Sequence, residues 1–285
     1  MIKSIAVAAP HPLIVKLRDK FWPSHRIALR TEIGLLPYER NDLVASCLVR
    51  GTFELEEQAV MRALLPACRG MMDIGANLGL YTLLASRLMP SEGRIVAFEA
   101  SPIEYGKLSW TILRNKLSNV EAIHAAVSDA VGTTAIFQSL AGAGALNRLD
   151  RPAKTSGDWE RTVVSMTTID AWTATHGNIP IDLLKIDVEG HELPVLVGAQ
   201  SLIRNWRPLI LIEVNAARAS ARSAPREIWD HLVGAGYRWF AIQSGGGALT
   251  PIEEPGAAIN FLAVPREPLS NTALADALST LIGLG

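Results

Sequence analysis

Short apolar runs alternate with amphipathic segments along most of the chain. Seven runs have the length of strands, and apolar residues recur at helical spacing after several of them. Strands that alternate with helices predict an α/β fold with a mostly parallel, seven-stranded sheet and helices on both faces. A glycine-rich turn at residues 244–247 predicts a hairpin between the last two strands. The predicted strands are the run leading to Asp73 and residues 94–98, 120–124, 183–187, 209–214, 237–242 and 259–264.

A glycine loop follows the first predicted strand. Gly75 and Gly79 lack a Cβ, so the backbone there can turn sharply and approach a ligand closely. The second strand ends at Glu99, where an acidic side chain can accept the ribose hydroxyls of a cofactor. A dinucleotide fingerprint needs glycine where Asn77 and Leu80 stand, which weakens an NAD interpretation. A plain strand-to-helix turn is the alternative for the loop alone.

Four sequence blocks carry a family resemblance. Residues 73–79, 97–102, 182–192 and 212–215 together resemble the FkbM-type S-adenosylmethionine-dependent methyltransferases. The resemblance implies a Rossmann-like class I methyltransferase fold and O-methylation of a sugar or natural-product hydroxyl. The cationic amino-acid end of S-adenosylmethionine also suits a carboxylate placed before the loop. Resemblance and chemistry together predict a cofactor site made of Asp73, Gly75, Asn77, Gly79 and Glu99.

The fourth predicted strand carries the candidate catalytic groups. Alternation places Lys185 and Asp187 on one face, and a buried lysine requires a partner, for which Glu213 on the next strand is the predicted counter-ion. Asp187 is the leading candidate for the base that takes the acceptor proton, followed by Glu189 and His191. We expect Glu189 and Glu213 to shape the acceptor site. The alternatives are a purely structural ion pair and, for His191, a polar residue that opens a helix.

Two further cofactor contacts are predicted after the third strand. Ser128 or Asp129 can hydrogen-bond the adenine amino group, although a plain turn explains both residues equally well. No metal is predicted, because the acidic residues near the fourth strand have no fixed ligand spacing. The rival functions are an N-methyltransferase of the same fold and a cofactor-binding regulatory protein without catalysis.

Composition narrows the class of protein. The chain has 285 residues, 49% of them hydrophobic, and a formal net charge of -1, so it can bury a sizeable core but offers no general attraction to nucleic acid. Two cysteines are too few for a disulfide framework. The N-terminus has no continuous apolar core, so no membrane span is expected and a cytoplasmic location is predicted. The predicted partner is a small-molecule or glycan acceptor, and a homo-oligomer is possible.

Three segments are predicted along the chain. Residues 1–50 form an N-terminal extension that is a candidate substrate cover, residues 51–265 form the Rossmann-like domain, and residues 266–285 form a C-terminal helical tail. Residues 138–160, rich in Ala, Gly, Arg and Asp, are a second candidate cover, with a disordered insertion as the alternative.

Overall fold

An eight-stranded sheet forms the centre of the computed structural model, which describes residues 7–8, 27–39, 42–139, 149, 159–177, 179–215, 224–254 and 259–283. The order of its strands is β13-β12-β14-β11-β10-β4-β5-β6. The described strands are β1 (Val7–Ala8), β2 (Ile27–Thr31), β3 (Leu35–Tyr38), β4 (Gly70–Ile74), β5 (Arg94–Glu99), β6 (Val120–His124), β7 (Ala126–Val127), β8 (Gly132–Ser139), β9 (Trp159–Thr167), β10 (Leu183–Ile186), β11 (Leu209–Glu213), β12 (Tyr237–Ile242), β13 (Leu249–Ile252) and β14 (Asn260–Pro265).

Helices follow most strands of this sheet. The described α-helices are α1 (Leu43–Arg50), α2 (Leu55–Leu64), α3 (Leu80–Leu88), α4 (Pro102–Asn115), α5 (Ile169–His176), α6 (Glu192–Val197), α7 (Gln200–Trp206), α8 (Pro225–Gly234) and α9 (Thr272–Ile282). A short 3₁₀ helix at Leu65–Ala67 links α2 to β4.

Strands β6, β5, β4, β10 and β11 pair in parallel. Every residue of β4 and β10 is buried, which explains why their sequences are nearly continuous apolar runs. Leu183 packs in one apolar cluster of the core, whereas Leu184 and Ile186 pack in the other, so the two clusters lie on opposite faces of the sheet. The predicted α/β, Rossmann-like architecture is confirmed.

The other edge of the sheet is antiparallel and has one strand more than predicted. β14 pairs with both β11 and β12, and β13 pairs with β12. The glycine turn at residues 244–247 therefore joins β12 to β13, not to β14 as predicted. Pro251 and three glycines nearby made this short strand look like loop, whereas its pairing with β12 decides its structure.

The N-terminal elements pack on the central domain. Leu29 and Leu36 from β2 and β3 join the same apolar cluster as Leu183. Asp42 accepts a hydrogen bond from the backbone N–H of Ala45 and so caps α1. Lys107 on α4 donates to the carboxylate of Asp42 at 2.6 Å, and both side chains are buried. This ion pair fixes α1 against the domain.

Both candidate covers extend beyond the described residues. Within residues 1–50, positions 1–6, 9–26 and 40–41 lie outside the description, as do positions 140–148 and 150–158 of the second cover. The described ends of that cover belong to β8 and β9, which pair antiparallel in a small sheet with β7. In the described part of the chain, no helix is long and apolar enough to cross a membrane.

Candidate active site

A cavity of about 400 Å³ opens at the carboxyl ends of β4, β5, β10 and β11. This is the edge at which open α/β sheets bind ligands, and the volume suits a cofactor or metabolite. One end of the cavity is apolar, with walls that include Phe98, Ala126 and Ile136. Lys185 and several carboxyl groups line the other end, so the cavity offers separate apolar and charged compartments.

The glycine loop forms one wall between these two ends. Gly75 has a φ of +83°, and a Cβ built on it would lie 1.9 Å from the backbone oxygen of Asp187. The N–H groups of Gly75 and Ala76 donate to the carbonyl of Phe98, which ties the loop to β5. Gly79 has a φ of +89° at the start of α3 and does not line the cavity itself. A side chain at position 75 would therefore displace the end of β10.

Glu99 clamps the loop from the end of β5. Its Oε2 accepts the N–H of Asn77, and its Oε1 accepts the N–H of Ser101, both at 2.8 Å. Burial raises the pKa of Glu99 to about 7, against the lowering effect of these two hydrogen bonds. Both Glu99 and Asn77 line the cavity, as the predicted cofactor site requires.

Asp73 lies beneath the loop instead of on the cavity wall. The side chain is fully buried, and its Oδ2 accepts a hydrogen bond from the Thr82 hydroxyl at 2.7 Å. Its Oδ1 has no hydrogen-bond partner among the described residues. Burial raises the pKa of Asp73, and Lys185 on the adjacent strand opposes that effect. The predicted contact of Asp73 with a cofactor ammonium, made directly or through water, stays a prediction, and the carboxyl group has no exposed surface in this structure.

Lys185 pairs with a different carboxylate from the one predicted. Its Nζ lies 3.2 Å from Oδ2 of Asp187 and 4.7 Å from the ring centroid of Tyr81. Burial lowers the pKa of Lys185, but the carboxyl groups of Asp187, Asp73 and Glu54 outweigh it and hold the pKa above its ordinary value. No ion pair joins the described side chains of Lys185 and Glu213, so the predicted counter-ion is corrected to Asp187, two residues along the same chain segment.

Three carboxyl groups converge beside this lysine. Oxygen atoms of Glu54, Asp187 and Glu213 all lie within 4.8 Å of one another. The amide of Asn215 donates to Glu213 at 3.4 Å. Because Lys185 already supplies a positive charge to this carboxyl cluster, we assign no metal ion to it.

His191, Ser128 and Asp129 meet away from the cavity wall. Nε2 of His191 lies 2.9 Å from Oγ of Ser128, which donates to Asp129 at 3.0 Å, and both His191 and Ser128 are buried. Glu189 and Gly190 have positive φ values of 55° and 93°, so the chain turns sharply between Asp187 and the histidine. Glu189 lines the cavity, but the structure places the predicted base His191 and the two predicted adenine contacts outside its lining.

Sequence reasoning missed two residues of the charged compartment. Tyr81 donates its hydroxyl to Oε2 of Glu54 at 2.6 Å, and both residues line the cavity. Tyr81 was missed because it lies among the leucines that form the helical pattern after the glycine loop. Glu54 was missed because it lies in a segment rich in glutamate, just before a helix. The one available signal was the position of Tyr81 in the first turn after the loop, where side chains can face a ligand.

Comparisons with known proteins place the chain in a family. The sequence profile described as the methyltransferase FkbM domain matches residues 73–239. The chain belongs to the FkbM methyltransferase family. As a member of this family, it is a methyltransferase. A relative, the methyltransferase sdnD of Sordaria araneosa, is 32% identical over 179 residues, which cover 50% of this chain and 69% of that protein.

Solved structures resemble the FkbM domain more distantly. The methyltransferase FkbM from Methylobacillus flagellatus KT is 15% identical with a TM-score of 0.44, and the match covers 70% of this chain and 44% of that one. An O-methyltransferase from Bacillus cereus, solved in complex with SAH, is 17% identical with a TM-score of 0.44, over 74% of this chain and 80% of that one.

Proposed function

We propose that the protein transfers the methyl group of S-adenosylmethionine to a hydroxyl oxygen of a carbohydrate or secondary metabolite. The observation that carries this proposal is the single cavity that joins the glycine loop and Glu99 to the carboxylates of Asp187 and Glu213. A methyl donor and an acceptor alcohol can therefore lie side by side in one cavity at the carboxyl ends of the strands.

Each part of S-adenosylmethionine has a chemically suitable place in the cavity. We place the ribose at Glu99, where each carboxylate oxygen keeps a lone pair beyond the one used for a backbone N–H. The adenine then lies against Phe98 and Ile136 in the apolar compartment. The methionine end lies at Gly75 and Asn77, whose backbone borders the cavity. Gly79 and the buried Asp73 then support the loop without contacting the donor.

The sulfonium of the bound donor supplies an electrophilic methyl group, so the chain has to align the acceptor, exclude water and take a proton. Alignment of the reacting atoms is the largest of these contributions. Of the predicted bases, Asp187 reaches the cavity and His191 does not, so we assign the acceptor contact to Asp187. Nζ of Lys185 lies 3.2 Å from that carboxylate and fixes its position, and Glu189 and Glu213 border the same space.

The proposal is tested by methyl transfer from radiolabelled S-adenosylmethionine to methyl glycosides, phenols and the matching amino sugars. Asp187→Asn is expected to lower turnover by about 10²-fold, because the acceptor hydroxyl loses the carboxylate that aligns it with the methyl group. Calorimetry is expected to show that the variant still binds S-adenosylhomocysteine. The matched control is Asp230→Asn on the exposed face of α8.

Transfer to the amino sugars alone would favour the N-methyltransferase alternative. The carboxyl cluster motivates this second candidate, since three carboxyl groups within 4.8 Å of one another also suit a cationic amine. If the wild type transferred methyl to none of the acceptors, the proposed acceptor class would be wrong.

A further inference from the structure

Glu54 is held at the cavity by an unusual backbone conformation. It precedes α2 with φ 41° and ψ 52°, in the left-handed region that residues with a Cβ rarely adopt. It occupies the N-cap position, where a carboxylate commonly accepts helix N–H groups, yet its side chain makes no capping hydrogen bond. Strain that persists at such a position is characteristic of functional sites. The carboxyl group is thus directed to the cavity instead of to its own helix.

The surroundings of Glu54 come from four other parts of the fold. Tyr81 on α3 donates a 2.6 Å hydrogen bond to Oε2, and the carboxyl groups of Asp187 and Glu213 lie within 4.8 Å. Lys185 on β10 and Glu57 on α2 also act on it electrostatically. Glu54 is therefore the member of the carboxyl cluster whose hydrogen-bond donor is a neutral hydroxyl, whereas Asp187 is paired with an ammonium group.

These neighbours give Glu54 the proton affinity of a base. Burial, together with the nearby carboxyl groups of Asp187 and Glu57, raises its pKa to about 8, although Lys185 and the Tyr81 hydrogen bond act in the opposite direction. A general base is most effective when its pKa lies near the operating pH. The carboxylate of Asp187 instead lies 3.2 Å from the Lys185 ammonium, and this ion pair fixes its position, which suits it to orienting an acceptor.

We propose that Glu54 is the catalytic base that accepts the proton of the acceptor hydroxyl, and that Tyr81 is its positioning residue. The proposal rests on the proposed O-methyl transfer. The acceptor oxygen forms a bond to the methyl carbon, the carbon–sulfur bond breaks with its electron pair passing to sulfur, and the hydroxyl proton passes to an oxygen of Glu54. The products are the methyl ether, the neutral thioether and a protonated carboxyl group, which then loses its proton to solvent.

The test compares Glu54→Gln with Glu56→Gln, a matched loss of one carboxylate two residues along the chain, outside the cavity lining. With the best hydroxyl acceptor of the panel above, Glu54→Gln is expected to lower kcat by about 10²- to 10³-fold. Glu56→Gln is expected to stay within threefold of the wild type. Calorimetry with S-adenosylhomocysteine is expected to give a Kd for Glu54→Gln within threefold of the wild type, which also shows that the variant is folded.

The pH dependence of kcat separates a base from a structural residue. The wild-type rate is expected to rise with pH along a one-proton limb, which Glu54→Gln removes. Tyr81→Phe deletes the hydrogen bond that stabilises the ionised carboxyl, so the limb is expected to move to higher pH.

Three results would overturn the assignment: a kcat for Glu54→Gln within threefold of Glu56→Gln, a loss of S-adenosylhomocysteine binding of more than tenfold, or an unmoved limb in Tyr81→Phe. A wild type that methylates no hydroxyl of the panel would overturn the proposed function, and this assignment with it. If the wild type methylated a hydroxyl and Glu54→Gln were equally active, the assignment of Glu54 as the base would be wrong, whereas the proposed function would stand.

Discussion

The clamp at Glu99 makes the stability of the free protein depend on pH in a way that one substitution should remove. The Glu99 residue is 7% exposed, and burial raises the pKa of its carboxyl group from 4.5 to about 7. Between these two values the unfolded chain has lost this proton while the folded chain keeps it. The unfolded state therefore binds fewer protons, and the free energy of unfolding falls as the pH rises through this window.

The magnitude follows from the size of the shift. About 2.5 pKa units at 1.36 kcal/mol each correspond to about 3 kcal/mol of unfolding free energy, present below pH 4.5 and lost above pH 7. Glu99→Gln cannot titrate, so its stability should lack this component. Gln offers one acceptor to the two backbone N–H donors of Asn77 and Ser101, which costs about 1–3 kcal/mol at every pH. The constant cost cancels when the change with pH is compared.

Urea unfolding of the protein without cofactor, at pH 4.5 and pH 8, measures the difference. Between pH 4.5 and pH 8, the unfolding free energy of the wild type is expected to fall by about 3 kcal/mol more than that of Glu99→Gln. Glu160→Gln, an exposed carboxylate on β9, should follow the wild type. The argument would be refuted if the unfolding free energies of the wild type and Glu99→Gln changed between the two pH values by amounts within about 1 kcal/mol of each other. Burial would then not raise the pKa of this carboxyl group.

Two further predictions concern the loop and the N-terminal helix. Gly75→Ala puts a Cβ 1.9 Å from the backbone oxygen of Asp187 and should cost about 3 kcal/mol in urea unfolding, whereas Gly246→Ala, with open space around it, should cost under about 1 kcal/mol. An unchanged midpoint for Gly75→Ala would mean that the loop does not pack on β10 as described. Lys107→Met leaves the buried carboxylate of Asp42 without its 2.6 Å partner and should cost about 3–5 kcal/mol. A loss below about 1 kcal/mol would show that this ion pair does not anchor α1.

Much of the sheet was predictable because its strands are set by local pattern. Strands buried on both faces read as apolar runs, and β5, β6 and β12 were predicted with bounds within one residue of those observed. β8, β9 and β13 were not predicted. They lie outside the central parallel strands, and their residues are partly exposed, so their sequences lack a continuous apolar run.

Part of the candidate site was also predictable from the sequence, and part was not. Gly75, Glu99 and Asp187 could be placed at one sheet edge from sequence, because the carboxyl ends of parallel strands coincide. The partner of Lys185 could not, since both Asp187 and Glu213 satisfied the alternation rule and only the distances between side chains separate them.

The sequence by itself determined the family, the parallel core of the sheet and the strand ends that border the cavity, because glycines, apolar runs and strand-end acids are properties of short segments. The tertiary structure decided which side chains meet there. It brought Glu54 to Tyr81 and Asp187, and it turned His191 away toward Ser128. These contacts join segments that are distant along the chain, so they depend on packing and backbone direction that no local pattern encodes.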